Sequence, residues 1–311
     1  MKCFDCHADI GMDILKKSEL GNSDILKKYH LDKLKDGEVS GVSMACFFEG
    51  HETMDTAVKM ISLLKDEIES NSDTVYFYKQ GEFHRDQLNA IMSIEGMCFI
   101  KDDPESFLDW AYTQGVRIGS LCWNEKNALA TGARSNPNRG VTNLGKRAIK
   151  RMNELKIIVD VSHTNEKSFY DVLEVSTRPV MATHSNARGL CNVDRNLTDQ
   201  QIKAIAATNG LIGLVAARYF VSNDEAKQNA ATLAKHATYI KQLTSIHHIC
   251  IGFDYMDFLG EPFGRQSMAY DLEDASMSQN LIQALENEGF TQDEIEMIAF
   301  GNAQRFIKDN V

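Results

Sequence analysis

The chain of 311 residues is 43% hydrophobic and carries a formal net charge of −11 at pH 7. That is enough apolar material for one large core, under a surface that repels phosphate backbones and anionic membranes. No run of Lys or Arg makes a basic patch and no stretch reaches the ~20 apolar residues of a membrane helix, so neither nucleic acid nor a membrane is an expected partner.

Short apolar or alternating runs predict strands at 3–9, 41–48, 90–95, 116–121, 157–162, 179–184, 210–215 and 249–254. Helical periodicity marks 53–69, 144–155 and 224–243 between them. Strand–helix alternation argues for a parallel sheet, and eight strands close it: the expected fold is α/β, a (β/α)₈ TIM-type barrel. A further strand-like run at 74–79 is expected to be an excursion between the second and third barrel strands. Only four prolines occur, with no Gly/Ser-rich stretch, so residues 1–311 read as one domain. The opening Met1-Lys2-Cys3-Phe4-Asp5 has no apolar signal stretch, and the seven cysteines sit in scattered, mostly apolar contexts. Both features read as a cytoplasmic protein with buried, reduced thiols.

In such a barrel the chemistry lies at the C-terminal strand ends. Five of the eight predicted strands end in a candidate metal ligand: Asp5-Cys6-His7-Ala8-Asp9, Ser93-Ile94-Glu95-Gly96, Asp160-Val161-Ser162-His163, Thr183-His184-Ser185 and Gly252-Phe253-Asp254. His7 and Asp9 are two apart, so strand alternation turns them to one face and sends Cys6 and Ala8 to the other. Each residue has an ordinary reading too. A strand-end His such as His163 or His184 is more often a hydrogen-bonded core residue, and Glu95 or Asp254 can cap the following turn. A carboxylate after an apolar strand is nonetheless costly unless a cation or hydrogen bonds offset its desolvation. Three His and three carboxylates at one rim form the N/O donor set that zinc prefers. His247-His248 lies at the opposite end of its strand, and His30, His51, His84 and His236 have no ligand-spaced partner, so none carries a functional expectation.

These motifs, with the stretch from Pro179 through Thr183-His184-Ser185-Asn186-Ala187-Arg188 to Arg195-Asn196-Leu197-Thr198-Asp199, resemble the membrane (renal) dipeptidase family of zinc metallopeptidases over nearly the whole chain. The resemblance implies two zinc ions, with His7 and Asp9 on one, His163 and His184 on the other, and Glu95 as the bridge. It makes Asp254 the catalytic acid/base and Arg195 the holder of the substrate's carboxylate. The implied reaction is attack by a hydroxide between the metals on the peptide bond of a free dipeptide, D-residue-containing ones included. Where many relatives have a histidine that polarises the scissile carbonyl, this chain has Trp123, which opens the alternative of another small amide or a lactone. A catalytically idle metal-binding protein is the remaining alternative, and it predicts loss of a ligand or of Asp254, none of which is lost. Arg188 and Arg218 are weaker candidates for the substrate. The expected partners are a small dipeptide-like substrate and, at most, a second copy of the chain in a homodimer.

Overall fold

The computed structural model describes residues 1–260 and 263–311. Nine parallel strands form one sheet: β1 (Cys3–Ala8), β2 (Val39–Phe47), β3 (Val75–Phe77), β4 (Leu88–Glu95), β5 (Val116–Ser120), β6 (Ile158–Asp160), β7 (Met181–Ala182), β8 (Leu211–Leu214) and β9 (Ile249–Ile251). β1 pairs with both β2 and β9, and β2 pairs with β4, so eight strands close into a barrel. β3 stays outside the ring. β2 takes one edge of β4 along residues 89–95, leaving β3 to pair with residues 88–90 and β5 with 92–94 on the other edge. The run at 74–79 is therefore the excursion its position predicts.

Two apolar layers hold the barrel. Outward residues such as Val42, Met44, Met92, Val159, Ile212 and Ile251 pack beneath the helices. Inside, Phe4, Cys6, Ile91, Ile118, Ile158, Met181, Leu211 and Cys250 meet Ala303, Phe306 and Ile307 of the closing helix Asn302–Asn310, which plugs the end of the barrel away from the candidate ligands. At Gly41 a Cβ would stand 2.2 Å from the Phe4 ring, so this strand gives its interior space to a neighbour's aromatic. All seven cysteines are buried and unpaired. No described helix is long and apolar enough to cross a membrane.

The helix ends follow side-chain chemistry. Thr53, Thr142 and Asn165 each accept an amide hydrogen bond at the starts of Met54–Ser70, Asn143–Leu155 and Glu166–Val175. The helix expected over 224–243 begins later, at Ala230, because Asn229 is extended and caps Thr232. The preceding residues form a separate turn, Glu225–Lys227, capped by Asp224.

Candidate metal centre

The strands stop short of several candidate ligands. β6, β7 and β9 end at Asp160, Ala182 and Ile251, whereas the periodicity had extended them through 162, 184 and 254. After β6 and β9 the backbone turns out of the ladder: His163 has φ 66° and Asp254 has φ 60°, in the left-handed region that no β-ladder admits. Such residues cost of order 1 kcal/mol or more and persist where neighbours over-determine them. Here the His163 carbonyl accepts from Ala133 N at 2.7 Å, and Asp254 N donates to the His7 carbonyl at 3.1 Å.

β1 departs from simple alternation as well. Asp5 pairs with Val42 and Ala8 with Met44, so three steps on β1 face two on β2, a bulge of one residue. Cys6 consequently does not face away: its Sγ lies in the interior cluster, 3.6 Å from that of Cys250, while His7 still points into the mouth. Asp9 lies just beyond β1 and precedes the helix Ile10–Glu19. Beyond β7 the chain swings toward the axis, and it can do so because β8 and β9 carry glycine there. A Cβ on Gly213 or Gly252 would stand 1.9 or 1.7 Å from the Thr183 carbonyl oxygen.

These turns converge on one carboxylate. Glu95, the last residue of β4, has Oε2 3.1 Å from His7 Nε2, while Oε1 lies 2.7 Å from His163 Nε2 and 3.5 Å from His184 Nε2. Asp9 Oδ1 is 3.4 Å from His7 Nε2 and makes no hydrogen bond, and Asp254 Oδ1 is 4.0 Å from the same nitrogen. All six side chains are buried. Two sets of ligand types share Glu95: His7, Asp9 and Glu95 on one side, and Glu95, His163 and His184 on the other. A third set, His7, Asp160 and His184, encloses the Thr183 hydroxyl instead.

The electrostatics fit cations. His163 Nδ1 donates to Asn124 Oδ1 at 3.0 Å, which leaves a lone pair on Nε2 facing both the Glu95 oxygen and, at 2.8 Å, His184 Nε2. Unless His184 carries its proton on Nε2, these atoms face one another as acceptors, an arrangement that a positive ion among them relieves. Burial pushes the His163 imidazole down to about 3 and His184 well below its usual range, so neither supplies that charge. Burial also opposes charge on His7, but Glu95 and Asp9 outweigh it and raise its pKa. Burial would lift Glu95, yet the histidines packed against it hold it well below the usual carboxylate range. Asp254 is raised by burial and then by the charge of Asp9.

The family model of the membrane dipeptidases, peptidase family M19, matches residues 1–310. The chain belongs to the membrane dipeptidase family. An uncharacterised dipeptidase of Schizosaccharomyces pombe is 30% identical over 230 residues, covering 73% of this chain and 54% of that one. Dipeptidase 3 of Macaca fascicularis is 25% identical over 289 residues, covering 89% of this chain and 57% of its own. The chain thus spans a little over half the length of these two relatives. A metallopeptidase of Rhodobacter sphaeroides, solved with a phosphinate mimic of the dipeptide L-Ala-D-Ala, has the same fold, with a TM-score of 0.87 at 22% identity over 100% of this chain and 99% of that one.

In this dipeptidase-family chain Arg195 lies beside the ligand cluster. It is buried, its Nη2 donates to the His184 carbonyl at 3.2 Å, and its Nε has no partner among the described residues. Burial lowers its pKa to about 10, which leaves it a cation at neutral pH, and it lines a cavity of about 330 Å³ with Arg134, Val193, Tyr219 and Phe220. The other two arginines are otherwise engaged. Arg188 braces the carbonyls of Asp194 and Asn196, and Arg218 donates to the hydroxyls of Tyr219 and Tyr270. Trp123 packs edge-on to Phe47 at 5.1 Å and tilts over His163 at 5.9 Å. Asp257 forms an ion pair with Lys33, tying the segment after Asp254 to the helix Asp32–Asp36.

Sequence reasoning passed over four residues that support this centre. Asp5 Oδ1 accepts the amides of His7 and Phe253, at 3.2 and 2.9 Å, and so joins β1 to the Asp254 turn. Asp160 does the same between the turns after β6 and β7. Asn124 and Thr183 meet imidazole Nδ1 atoms. The signal was present for Asp5 and Asp160, each an aspartate placed two or three residues before a ligand histidine.

His236 has a structural part. Its Nδ1 accepts from Ala187 N at 3.1 Å and its Nε2 donates to the Val221 carbonyl at 2.9 Å, which pins the segment following His184. Burial pushes its pKa down to about 4, below the unfolded value of 6.5. The folded state therefore binds fewer protons, so this stability is complete above pH ~6.5 and is lost as pH falls toward ~4. His236→Phe should lower stability at pH 7.5 by about 1–3 kcal/mol, since Ala187 N–H loses its acceptor. Urea unfolding at pH 5 should show that deficit smaller by about 2 kcal/mol, and an unchanged deficit would remove His236 from the acid response.

Proposed function

We propose that this chain is a zinc-dependent dipeptidase that hydrolyses free dipeptides with about two divalent ions, one held by His7, Asp9 and Glu95 and the other by Glu95, His163 and His184. The observation that carries the reading is Glu95, whose two oxygens face two different histidine groups. A carboxylate placed in this way serves two cations at once, and the all-N/O donor set suits zinc. Divalent ions at this rim supply Lewis acidity toward a carbonyl and a water that ionises near pH ~7.

The chain's own groups do the rest. Asp254, held 4.0 Å from His7 and given a higher proton affinity by burial and by Asp9, takes a proton as the carboxylate from the attacking water and delivers it to the leaving amine. Arg195, a buried cation whose Nε has no partner among the described residues, receives the substrate's free carboxylate. A carboxylate clamp beside the metal rim limits length, which favours a dipeptide. Trp123 favours a second reading, another small amide or a lactone, because no indole N–H hydrogen bond is made among the described residues and a histidine is missing where many relatives have one. Dipeptides ending in a D-residue belong in any substrate panel, given the L-Ala-D-Ala mimic bound by the similar Rhodobacter peptidase.

Elemental analysis of gently purified and of reconstituted protein, with L,L and L,D dipeptides, their amides and small lactones as substrates, tests the reading. About two zinc-class ions per chain and selective cleavage of free dipeptides are expected; a protein with no divalent-metal site would sink it. His163→Ala should lose occupancy mainly at one position, because its partner there is His184. Equal loss of both ions would contradict the division.

A further inference from the structure

The Thr183 hydroxyl sits in the floor of the site and meets three buried groups: Asp160 Oδ2 at 2.6 Å, His184 Nδ1 at 2.8 Å and His7 Nδ1 at 3.3 Å. A hydroxyl has one proton to donate and two lone pairs to accept with. Asp160 decides how they are used. Its Oδ1 already accepts the amides of Ser162 and Thr183, at 2.8 and 3.0 Å, and the 2.6 Å contact at Oδ2 has the length of a hydroxyl donating to a carboxylate. With its proton committed to Asp160, Thr183 can only accept from the two imidazoles, so His7 and His184 carry their protons on Nδ1. Ser162 Oγ is a fourth contact of this hydroxyl, at 3.4 Å the longest of the set and close to the 3.3 Å of His7 Nδ1. A neutral imidazole protonated on Nδ1 has its lone pair on Nε2, and those are the atoms that face Glu95, at 3.1 and 3.5 Å.

We infer that Thr183 is a positioning residue common to both proposed metal positions, one hydroxyl turning the Nε2 lone pair of His7 on one side and of His184 on the other toward Glu95. His163 is oriented separately, by Asn124 Oδ1 at 3.0 Å. The consequence for metal binding rests on the two-ion reading above; the assignment of the protons does not.

The test pairs chelator-competition titration with Zn²⁺ and long-range ¹⁵N–¹H NMR of histidine-labelled, chelator-treated protein, on the full chain as wild type, Thr183→Val, Thr183→Ser and Asn124→Ala. Thr183→Val should weaken both zinc equivalents by roughly tenfold to a hundredfold, the usual effect of losing a hydrogen-bond partner of a ligand. Thr183→Ser should restore them, and Asn124→Ala should weaken only one. The spectra should show Nδ1 protons on His7 and His184 in wild type and the serine variant, and lose that pattern with valine. Wild-type zinc binding in Thr183→Val, weakening of a single equivalent, or the absence of an Nδ1 proton from His7 or His184 in the wild type would overturn the inference. If the wild type takes up no zinc, the two-ion reading fails and the spectra alone decide the role of Thr183. If the valine variant does not fold, the wild-type and serine spectra decide it.

Discussion

Asp254→Asn leaves the candidate ligands in place and lowers dipeptide turnover by ~10²–10⁴, the range for loss of a positioned acid/base. The substitution isolates chemistry from architecture. Asp254 has φ 60°, and Asn is among the few residues that enter this left-handed region readily, so the turn survives where Ala would strain it. The link that orients the turn, Asp254 N to the His7 carbonyl at 3.1 Å, is made by the backbone and is untouched. What the amide cannot do is take up and return a proton. The carboxylate is fitted for that, since burial first and the neighbouring Asp9 second raise its proton affinity. Turnover should be measured with metal content on the same preparations: near-normal rates with intact metal would remove Asp254 from the mechanism.

Arg195→Met weakens kcat/KM for a free dipeptide by roughly tenfold to a few hundredfold, because a charge-assisted pair contributes about 1.5–3 kcal/mol. An amidated dipeptide should barely register the change. Arg195 is buried close enough to Glu95, Asp254 and Asp160 to feel their charge, yet forms no ion pair among the described residues, and its side chain donates a hydrogen bond to the His184 carbonyl. That bond supplies the rival account, in which Arg195 only braces the segment carrying His184. Bracing would make both substrates suffer equally and the melting temperature fall. Should the wild type cleave the amide as well as the acid, the carboxylate clamp and the dipeptide-length argument fail together.

Much of this centre was legible without coordinates. Strand–helix alternation gave the barrel and its direction, and that direction brings His7, Asp9, Glu95, His163, His184 and Asp254 to one rim. Even the excursion at β3 followed from the count of strand-like runs against the eight that close. Such features depend on local periodicity and on where a residue falls along its own strand, both of which can be read one segment at a time.

Tertiary structure alone decided which atoms meet. The bulge in β1 puts Cys6 inside the barrel against expectation, and the left-handed turns at His163 and Asp254 end strands that periodicity would continue. Arg188 and Arg218, the weaker candidates, hold backbone carbonyls and tyrosine hydroxyls, whereas Arg195 is buried and bonded to the carbonyl of the candidate ligand His184. Asn124, Asp160 and Thr183 acquire their parts only through partners on other strands: Thr183 Oγ1 meets His7 Nδ1 across 176 residues of sequence. Hydrogen-bond partners so far apart in the chain are chosen by closure of the barrel and by the space that Gly213 and Gly252 leave for the Thr183 backbone. No window of sequence contains both halves of such a contact, so its geometry exists only once the strands have packed.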